Sequence, residues 1–336
     1  MSKKPLISIL MPVFNAGLWL EKCLESIVNQ TEVDWELIAI DDLSTDNSFD
    51  ILHQYTLSNE RIHVFKNQSK GIIPALQLAF HHSNGMYITR MDADDQMAVN
   101  KLECLVNTLS ENGAGFLATG WVKYISPTKL GDGYLRYEAW LNKLCSNSNN
   151  YDDIYRECVI PSPCWMTSRE DLIQAGAFDS TTYPEDYDLC FRFYKNKLKV
   201  VGVQKVLHFW RDHQERTSRN SPTYADQSYF DLKLPYFLDL DYKSDQPLLL
   251  WGTGKKGKLL AQKLIEQHIN FHWITNNTKK IGLNIYDIHV ESFKRIADFK
   301  SAQIIIAVAA PDDQEEIKQY LKQVDSHKEM SLFFFC

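Results

Sequence analysis

Short apolar runs alternate with amphipathic stretches along the first part of the chain. Leu6–Met11 is continuously apolar and predicts a strand buried on both faces. Pro12-Val13-Phe14-Asn15 ends it, and Leu20, Cys23, Leu24, Ile27 and Val28 then recur at helical spacing. Glu36–Ile40 predicts a second strand that stops at Asp41-Asp42. The polar turn Leu43-Ser44-Thr45-Asp46-Asn47-Ser48 opens another helix. Arg61–Phe65 predicts a third strand, Asn67–Gly71 a loop, Pro74–His82 a helix and Gly85–Met91 a fourth strand. Strand and helix alternating at short intervals predict an α/β protein, a mostly parallel sheet with helices on both faces. Such sheets bind ligands beyond the carboxyl ends of their strands. Here those ends carry Asn15, Asp41, Asp42, Asn67 and Asp92–Asp95.

The fourth strand ends in Asp92-Ala93-Asp94-Asp95. Crowded carboxylates repel one another and are tolerated where a cation neutralises them, so the turn is a candidate site for a hard divalent ion. The plainer alternative is a solvated turn in which Asp95 caps a helix around Val99–Glu111.

Phe116–Gly120 predicts a further core strand. Trp121, Tyr124, Tyr134, Tyr137 and Trp140 follow, favouring a hydrophobic subcore over a sugar-stacking surface. Leu141–Asp153, rich in Asn and Ser, reads as a mobile segment near an acceptor site. Tyr183-Pro184-Glu185-Asp186-Tyr187-Asp188 places acids ahead of a helix over Leu189–Tyr194, suited to capping, to chemistry, or to both. Val206–His213 follows a predicted strand, residues 224–246 form a partly helical linker, and Asp241–Gln246 marks a domain boundary.

A second strand-helix pattern begins at Pro247–Trp251. Gly252-Thr253-Gly254-Lys255-Lys256-Gly257 is a G-x-G-x-x-G directly after a strand and opening a helix. With strands at Asn270–Ile274 and Gln303–Val308, residues 247–336 read as a small Rossmann-like α/β domain. A dinucleotide site wants an acid after the second strand, and the chain has Thr275-Asn276-Asn277. Gly252, Gly254 and Gly257 could cradle NAD or another phosphate-bearing nucleotide, or serve only the tight turn and close packing.

Composition narrows the class. The chain is 44% hydrophobic and 24% charged with a formal net charge of -7, which argues against a nucleic-acid partner held through phosphates. Seven scattered cysteines without a C-x-x-C pair suit reduced thiols. Met1-Ser2-Lys3-Lys4-Pro5 lacks the apolar core of a secretory leader, and no run is long enough to span a bilayer. A cytoplasmic protein is expected; docking at the inner face of the membrane and pairing as a homodimer are compatible with this.

Pro12-Val13-Phe14-Asn15, Asp41-Asp42-x-Ser44-Thr45-Asp46, Asn67-x-x-Lys70-Gly71-Ile72-x-x-Ala75 and Asp92-Ala93-Asp94-Asp95 occur in the order and spacing of glycosyltransferase family 2. The chain resembles that family over roughly residues 5–220. The resemblance implies the GT-A fold for residues 1–223. It puts Pro12, Val13, Asn15 and Asp42 around the donor's base and ribose, with Asp46, Asn67, Lys70 and Gly71 close by. Asp92 and Asp94 would be the Asp-x-Asp pair on the ribose and a Mg²⁺ or Mn²⁺, with Asp95 a further candidate ligand. Asp186 would be the base that inverting transfer needs, and Glu185 would bind or orient the acceptor. His213 would complete a metal shell, and Arg211 and Arg216 would meet the diphosphate. Residues 212–223 would close over the donor. Leu43 stands where the family often has glycine, a departure expected to alter the loop only locally.

The implied activity moves a hexosyl or N-acetylhexosaminyl group from a nucleotide sugar, with UDP expected, to a hydroxyl acceptor. A glycan, a lipid-linked sugar or a protein could accept it, in cell-surface glycan assembly. Three rivals have different signatures. A nucleotidyltransferase wants a basic glycine-rich loop after the first strand, and Pro12–Gly17 has no Lys or Arg. A degenerate transferase serving as a scaffold or sensor would be expected to lack some of the acids. An NAD-dependent oxidoreductase would need the missing acid near Thr275.

Overall fold

A computed structural model describes residues 5–216, 229–323 and 329–336 of the chain. The backbone divides into two units, Met1–Asp152 with Cys158–Ala225, and Asp153–Glu157 with Asp226–Cys336.

The first unit begins as the periodicity predicts. Its elements are β1 (Ile7–Val13), α1 (Leu20–Val28), β2 (Trp35–Asp41), α2 (Ser48–Ser58), β3 (Ile62–Lys66), α3 (Ile72–His82) and β4 (Tyr87–Arg90). β5 (Gln96–Met97), α4 (Lys101–Asn112), β6 (Phe116–Ile125), α5 (Asp132–Asn147), β7 (Trp165–Ser168), α6 (Arg169–Gln174), α7 (Glu185–Lys195) and β8 (Lys199–Arg211) follow. One sheet has the order β3-β2-β1-β4-β7-β6-β8-β5. β1 pairs in parallel with β2 (Ile7 beside Trp35, Val13 beside Asp41) and with β4 (Ile7 beside Tyr87). β7 runs antiparallel to both β4 and β6, and β5 antiparallel to β8. Ile7, Ile9, Leu10, Met11 and Val13 of β1 are fully buried, because helices cover both faces of a parallel sheet. The register sends Pro12 and Val13, Asp41, Lys66 and Arg90 to one edge, where every parallel strand delivers its following loop.

Boundaries moved where tertiary contacts extended an element. β1 runs on through Pro12-Val13, since Val13 O still accepts from Asp42 N at 2.7 Å. α3 starts at Ile72, with Pro74 in its first turn, where a missing N–H costs nothing. Asp95 does not cap the next helix: Asn100 precedes α4, and the Asp95 carboxylate is engaged elsewhere. The expected mobile segment at Leu141–Asp153 is a correction. Its first part lies in α5, which buries Leu141, Leu144 and Cys145, and a 3₁₀ turn follows at Asn150–Asp153. Its Asn and Ser residues hid an apolar stripe at helical spacing. The aromatic cluster is a subcore: Tyr124 stacks on Trp210 at 5.2 Å and meets Tyr134 edge-on at 5.1 Å.

The second unit contains α8 (Phe230–Leu240), β9 (Leu248–Trp251), α9 (Lys255–Glu266), β10 (His272–Thr275), β11 (Asn284–Ile285) and β12 (Ile288–Ser292). A 3₁₀ turn at Phe293–Asp298 leads to β13 (Ser301–Ile306), α10 (Pro311–Gln323) and β14 (Glu329–Phe334). Its strand order is β11-β12-β10-β9-β13-β14, with only the short β11 antiparallel. β9, the first strand of this unit, lies between β10 and β13, so the strand order reverses beside it. Tyr155, in the stretch Asp153–Glu157, stacks on Phe335 at 5.3 Å and meets Phe237 edge-on at 5.6 Å. Among the described residues, no helix is long and apolar enough to cross a membrane.

Candidate active site

The polar strand ends are cross-linked. Asn15 takes the left-handed conformation (φ 48°) at the end of β1, and its Oδ1 accepts from Thr45 N at 2.8 Å while its own N–H donates to Ser44 Oγ at 3.1 Å. Asp46 accepts from Gly17 N at 2.9 Å and Ser48 N at 3.0 Å. Burial works against ionisation there, but these hydrogen bonds hold the Asp46 carboxyl below its ordinary pKa. Leu43 is also left-handed (φ 61°), a conformation that glycine enters without strain. The departure is therefore confined to one strained residue.

Asp42 is buried and organises the next loop. It accepts from Asn67 Nδ2 at 2.6 Å, and both of its oxygens lie 2.9 Å from Gly71 N. Gly71 has a φ of 137°, which an L side chain rarely adopts. Lys70 Nζ sits 4.2 Å from the centre of the Phe14 ring. Pro12, Val13, Asn15, Asp42, Asp46, Asn67, Lys70 and Gly71 thus line the carboxyl ends of β1, β2 and β3. Asp41 beside them keeps a buried Oδ1 without a partner among the described residues.

The acidic turn lies beyond β4, the neighbour of β1, and its three carboxylates have separate surroundings. Asp92 Oδ1 accepts from Arg90 Nε and Nη2, both at 3.2 Å. Burial raises the Asp92 pKa, Arg90 opposes the rise and Asp94 adds to it. Asp94 Oδ2 lies 2.8 Å from His213 Nε2. Asp95 points into the protein: its oxygens take Arg211 N at 2.7 Å and His208 Nε2 at 2.8 Å, and it is 1% exposed. Burial and the charges of Asp94 and Asp92 push its pKa well up. Behind it, Lys101 Nζ lies 3.3 Å from His208 Nδ1 and donates to Pro163 O. An ammonium can only donate, so Nδ1 is the acceptor and Nε2–H faces Asp95. Burial and Lys101 accordingly hold the His208 pKa well below the ordinary value.

Arg211 Nε donates to Asp94 O at 2.7 Å, and its guanidinium lies 4.4 Å from the Trp19 ring centre. Its Nη2 is buried without a partner among the described residues. The Arg216 pKa is raised by Asp95, Tyr124, Asp94 and Asp92 against the cost of burial, which places this cation within reach of the acidic turn. Of the polar segment expected to close over a donor, residues 217–223 lie outside the described residues.

α7 opens with Glu185, Asp186 and Asp188 in its first turn. Glu185 Oε1 accepts from Arg90 Nη1 at 3.0 Å. Asp186 is half-buried, and its Oδ1 accepts from Tyr187 N at 2.8 Å. Burial and the neighbouring charge of Glu185 push its pKa up to about 7. Asp188 is tied to Arg192 Nε at 2.8 Å, an i to i+4 pair along the helix. Arg90 and Trp19 were not singled out by the sequence reading. The legible signal was a cation at the end of a strand just ahead of three acids.

The family model described as Glycosyl transferase family 2 matches residues 8–176. The chain belongs to this family. Among curated proteins it is 28% identical over 230 residues to the putative teichuronic acid biosynthesis glycosyltransferase TuaG of Bacillus subtilis, covering 68% of this chain and 87% of that one. Among solved structures it is similar to S. aureus TarS 1-349 in complex with UDP-GlcNAc, with a TM-score of 0.54 at 16% identity, covering 71% and 68% of the two chains. It is also similar to the mannosyltransferase PcManGT from Pyrobaculum calidifontis in complex with GDP-Man and Mn²⁺ (TM-score 0.50, 14% identity, 71% and 64% covered). The first unit of this family 2 glycosyltransferase therefore has the GT-A fold.

In the second unit, the glycines of the G-x-G-x-x-G differ in cause. Gly252 has a φ of 127°, and a Cβ on Gly257 would lie 2.1 Å from Gly252 O. Gly254 has an ordinary φ, and a Cβ there would meet nothing within 4 Å. Gly257→Ala is expected to lower the stability of this unit by about 2–3 kcal/mol, and Gly254→Ala by no more than about 0.5 kcal/mol, in urea denaturation. Thr275, where a dinucleotide site has an acid, is buried, and its Oγ1 lies 3.1 Å from Thr253 Oγ1.

Proposed function

We propose that this glycosyltransferase moves a hexosyl or N-acetylhexosaminyl group, with inversion, from a UDP-linked donor to a hydroxyl of a growing cell-surface glycan. The observation that carries the reading is a single guanidinium joining the acidic turn to the first turn of α7. Arg90 touches Asp92 on one side and Glu185 on the other. This link supports a reading in which the acidic turn meets the donor and the first turn of α7, with Asp186 beside Glu185, meets the acceptor.

In this reading, Pro12, Val13, Asn15, Asp42, Asp46, Asn67, Lys70 and Gly71 shape the base and ribose pocket, and Asp92 holds the ribose. Arg211 donates to the diphosphate from its Nη2, which has no partner among the described residues. Asp186 takes the proton from the acceptor hydroxyl as that oxygen attacks the anomeric carbon. Glu185 orients the acceptor. A pKa of about 7 supports this assignment, because a base is most effective when poised near the working pH.

A Mn²⁺ or Mg²⁺ fits the same place. Among the described residues no three His, Cys, Asp or Glu side chains form a ready metal cluster. Asp94 and His213 nevertheless present an oxygen and a nitrogen side by side, and the remaining positions would fall to phosphate oxygens and water. When bound there, such an ion supplies positive charge to the departing diphosphate.

We read residues 1–223 as the transferase domain, 224–246 as a linker and 247–336 as a Rossmann-like domain. The strand order supports the last assignment.

Thermal shift with UDP, GDP, CDP, dTDP and NAD, each with and without Mn²⁺, tests the proposal. Stabilisation by UDP that requires Mn²⁺ is expected. Stabilisation by NAD alone would move ligand binding to Gly252–Gly257, and no response to any nucleotide would overturn the transferase reading.

A further inference from the structure

Arg90 is the last residue of β4, and it is 4% exposed. A guanidinium buried to that degree loses its hydration and is stable only where carboxylates replace it. Two do so. Nε and Nη2 both donate to Asp92 Oδ1 at 3.2 Å, and Nη1 donates to Glu185 Oε1 at 3.0 Å. Asp92 lies two residues further along the chain, whereas Glu185 is 95 residues away and opens another helix. The planar fork is filled from both sides, so the position of α7 relative to the acidic turn is set through one rigid group. Asp186, the next residue, accepts instead from the Tyr187 N–H at 2.8 Å.

Resting on the transferase reading above, we infer that Arg90 is a positioning residue for sugar transfer. It anchors Glu185 and holds the base-bearing turn of α7 at a set distance from the donor-bearing turn after β4, leaving proton transfer to Asp186. Charge balance alone would not need an arginine. A lysine would neutralise the same carboxylates, yet its three donors diverge from one nitrogen and do not hold two carboxylates at the spacing that Nε, Nη1 and Nη2 of a planar guanidinium set. The arginine-to-lysine difference therefore separates a bracket from a counter-ion.

The test uses the full chain with Mn²⁺ and measures hydrolysis of UDP-N-acetylglucosamine, UDP-glucose and UDP-galactose, following whichever the wild type cleaves fastest. Arg90→Lys is expected to lower kcat by about 10- to 100-fold, because a displacement of about 1 Å at a reacting group costs that much. Its donor KM should rise by less than kcat falls, since Arg90 reaches the donor-binding residues only through Asp92. Arg90→Lys combined with Glu185→Gln should be no slower than the slower single variant, because both break the same contact. Should Arg90→Lys fail to fold, Glu185→Asp, which keeps the charge and shortens the reach, carries the same expectation. Wild-type kcat in Arg90→Lys, a loss confined to KM, or multiplying effects in the double variant would each overturn the bracket. A wild type that neither binds UDP with Mn²⁺ nor cleaves any of the three donors would overturn the transferase reading and the inference with it.

Discussion

Asp186→Asn is expected to lower kcat by at least about 10³-fold while leaving UDP affinity within about threefold. The amide keeps the shape of the carboxylate and can still accept from the Tyr187 N–H, but it cannot take a proton at any working pH. Steady-state transfer beside titration calorimetry with UDP separates the two effects, and full turnover in the variant would refute the assignment. The same residue sets the acidic limb of the pH profile. With Asp186 pushed up to about 7 by burial and by Glu185, the proton-accepting form prevails above pH 7. kcat/KM should then fall about tenfold per unit below it.

Stability should move the other way. An acid whose pKa is raised on folding binds its proton more tightly in the native than in the unfolded chain. The wild type therefore loses stability as pH rises from about 4, the unfolded value, to about 7. Asp186→Asn removes that loss, so its melting temperature should exceed the wild type's at pH 8 and match it at pH 4. A variant that is catalytically dead yet more stable above neutrality is the signature expected of a strained base, and a purely structural acid would show the reverse.

Asp94→Ala is expected to abolish the Mn²⁺-dependent part of UDP binding, a loss of about 100-fold or more, with little change in folding. Among the described residues Asp94 pairs through its Oδ2 with His213 in a partly open position, and Asp92 and Asp95 remain beside Arg216 when it is removed. Calorimetric titration of UDP with and without Mn²⁺ reads the effect, and an unchanged metal-dependent titration would count against the site. Asp95→Ala offers the contrast. It strips a buried acceptor from both His208 Nε2 and Arg211 N, and should cost about 3 kcal/mol of stability. Two acids adjacent in sequence should thus separate into one seen in ligand binding and one seen in unfolding.

Much of this was legible from periodicity. Strands buried on both faces are mostly apolar, so β1, β2 and β4 announced themselves, and their polar ends could be placed on one edge before any contact was known. Family membership was legible for the same reason: loops on a fixed scaffold carry chemistry as short ordered motifs. The α5 segment was misread because its Asn and Ser residues dominate composition, whereas folding follows Leu141, Leu144 and Cys145 on the buried side. In the G-x-G-x-x-G, sequence could not distinguish the glycine required by φ, the one required by close approach and the one required by neither.

The sequence by itself determined the α/β class, the family, and the edge of the sheet to which Asn15, Asp42, Asn67 and the three acids belong, because these depend on local pattern and strand direction. Tertiary structure alone decided what each carboxylate does. Asp92, Asp94 and Asp95 are nearly equivalent in the chain, but Arg90, His213 and the His208–Lys101 pair reach them from residues up to 119 positions away. Burial and partner charge act through space, and they set the charge of an acid and the direction in which it points.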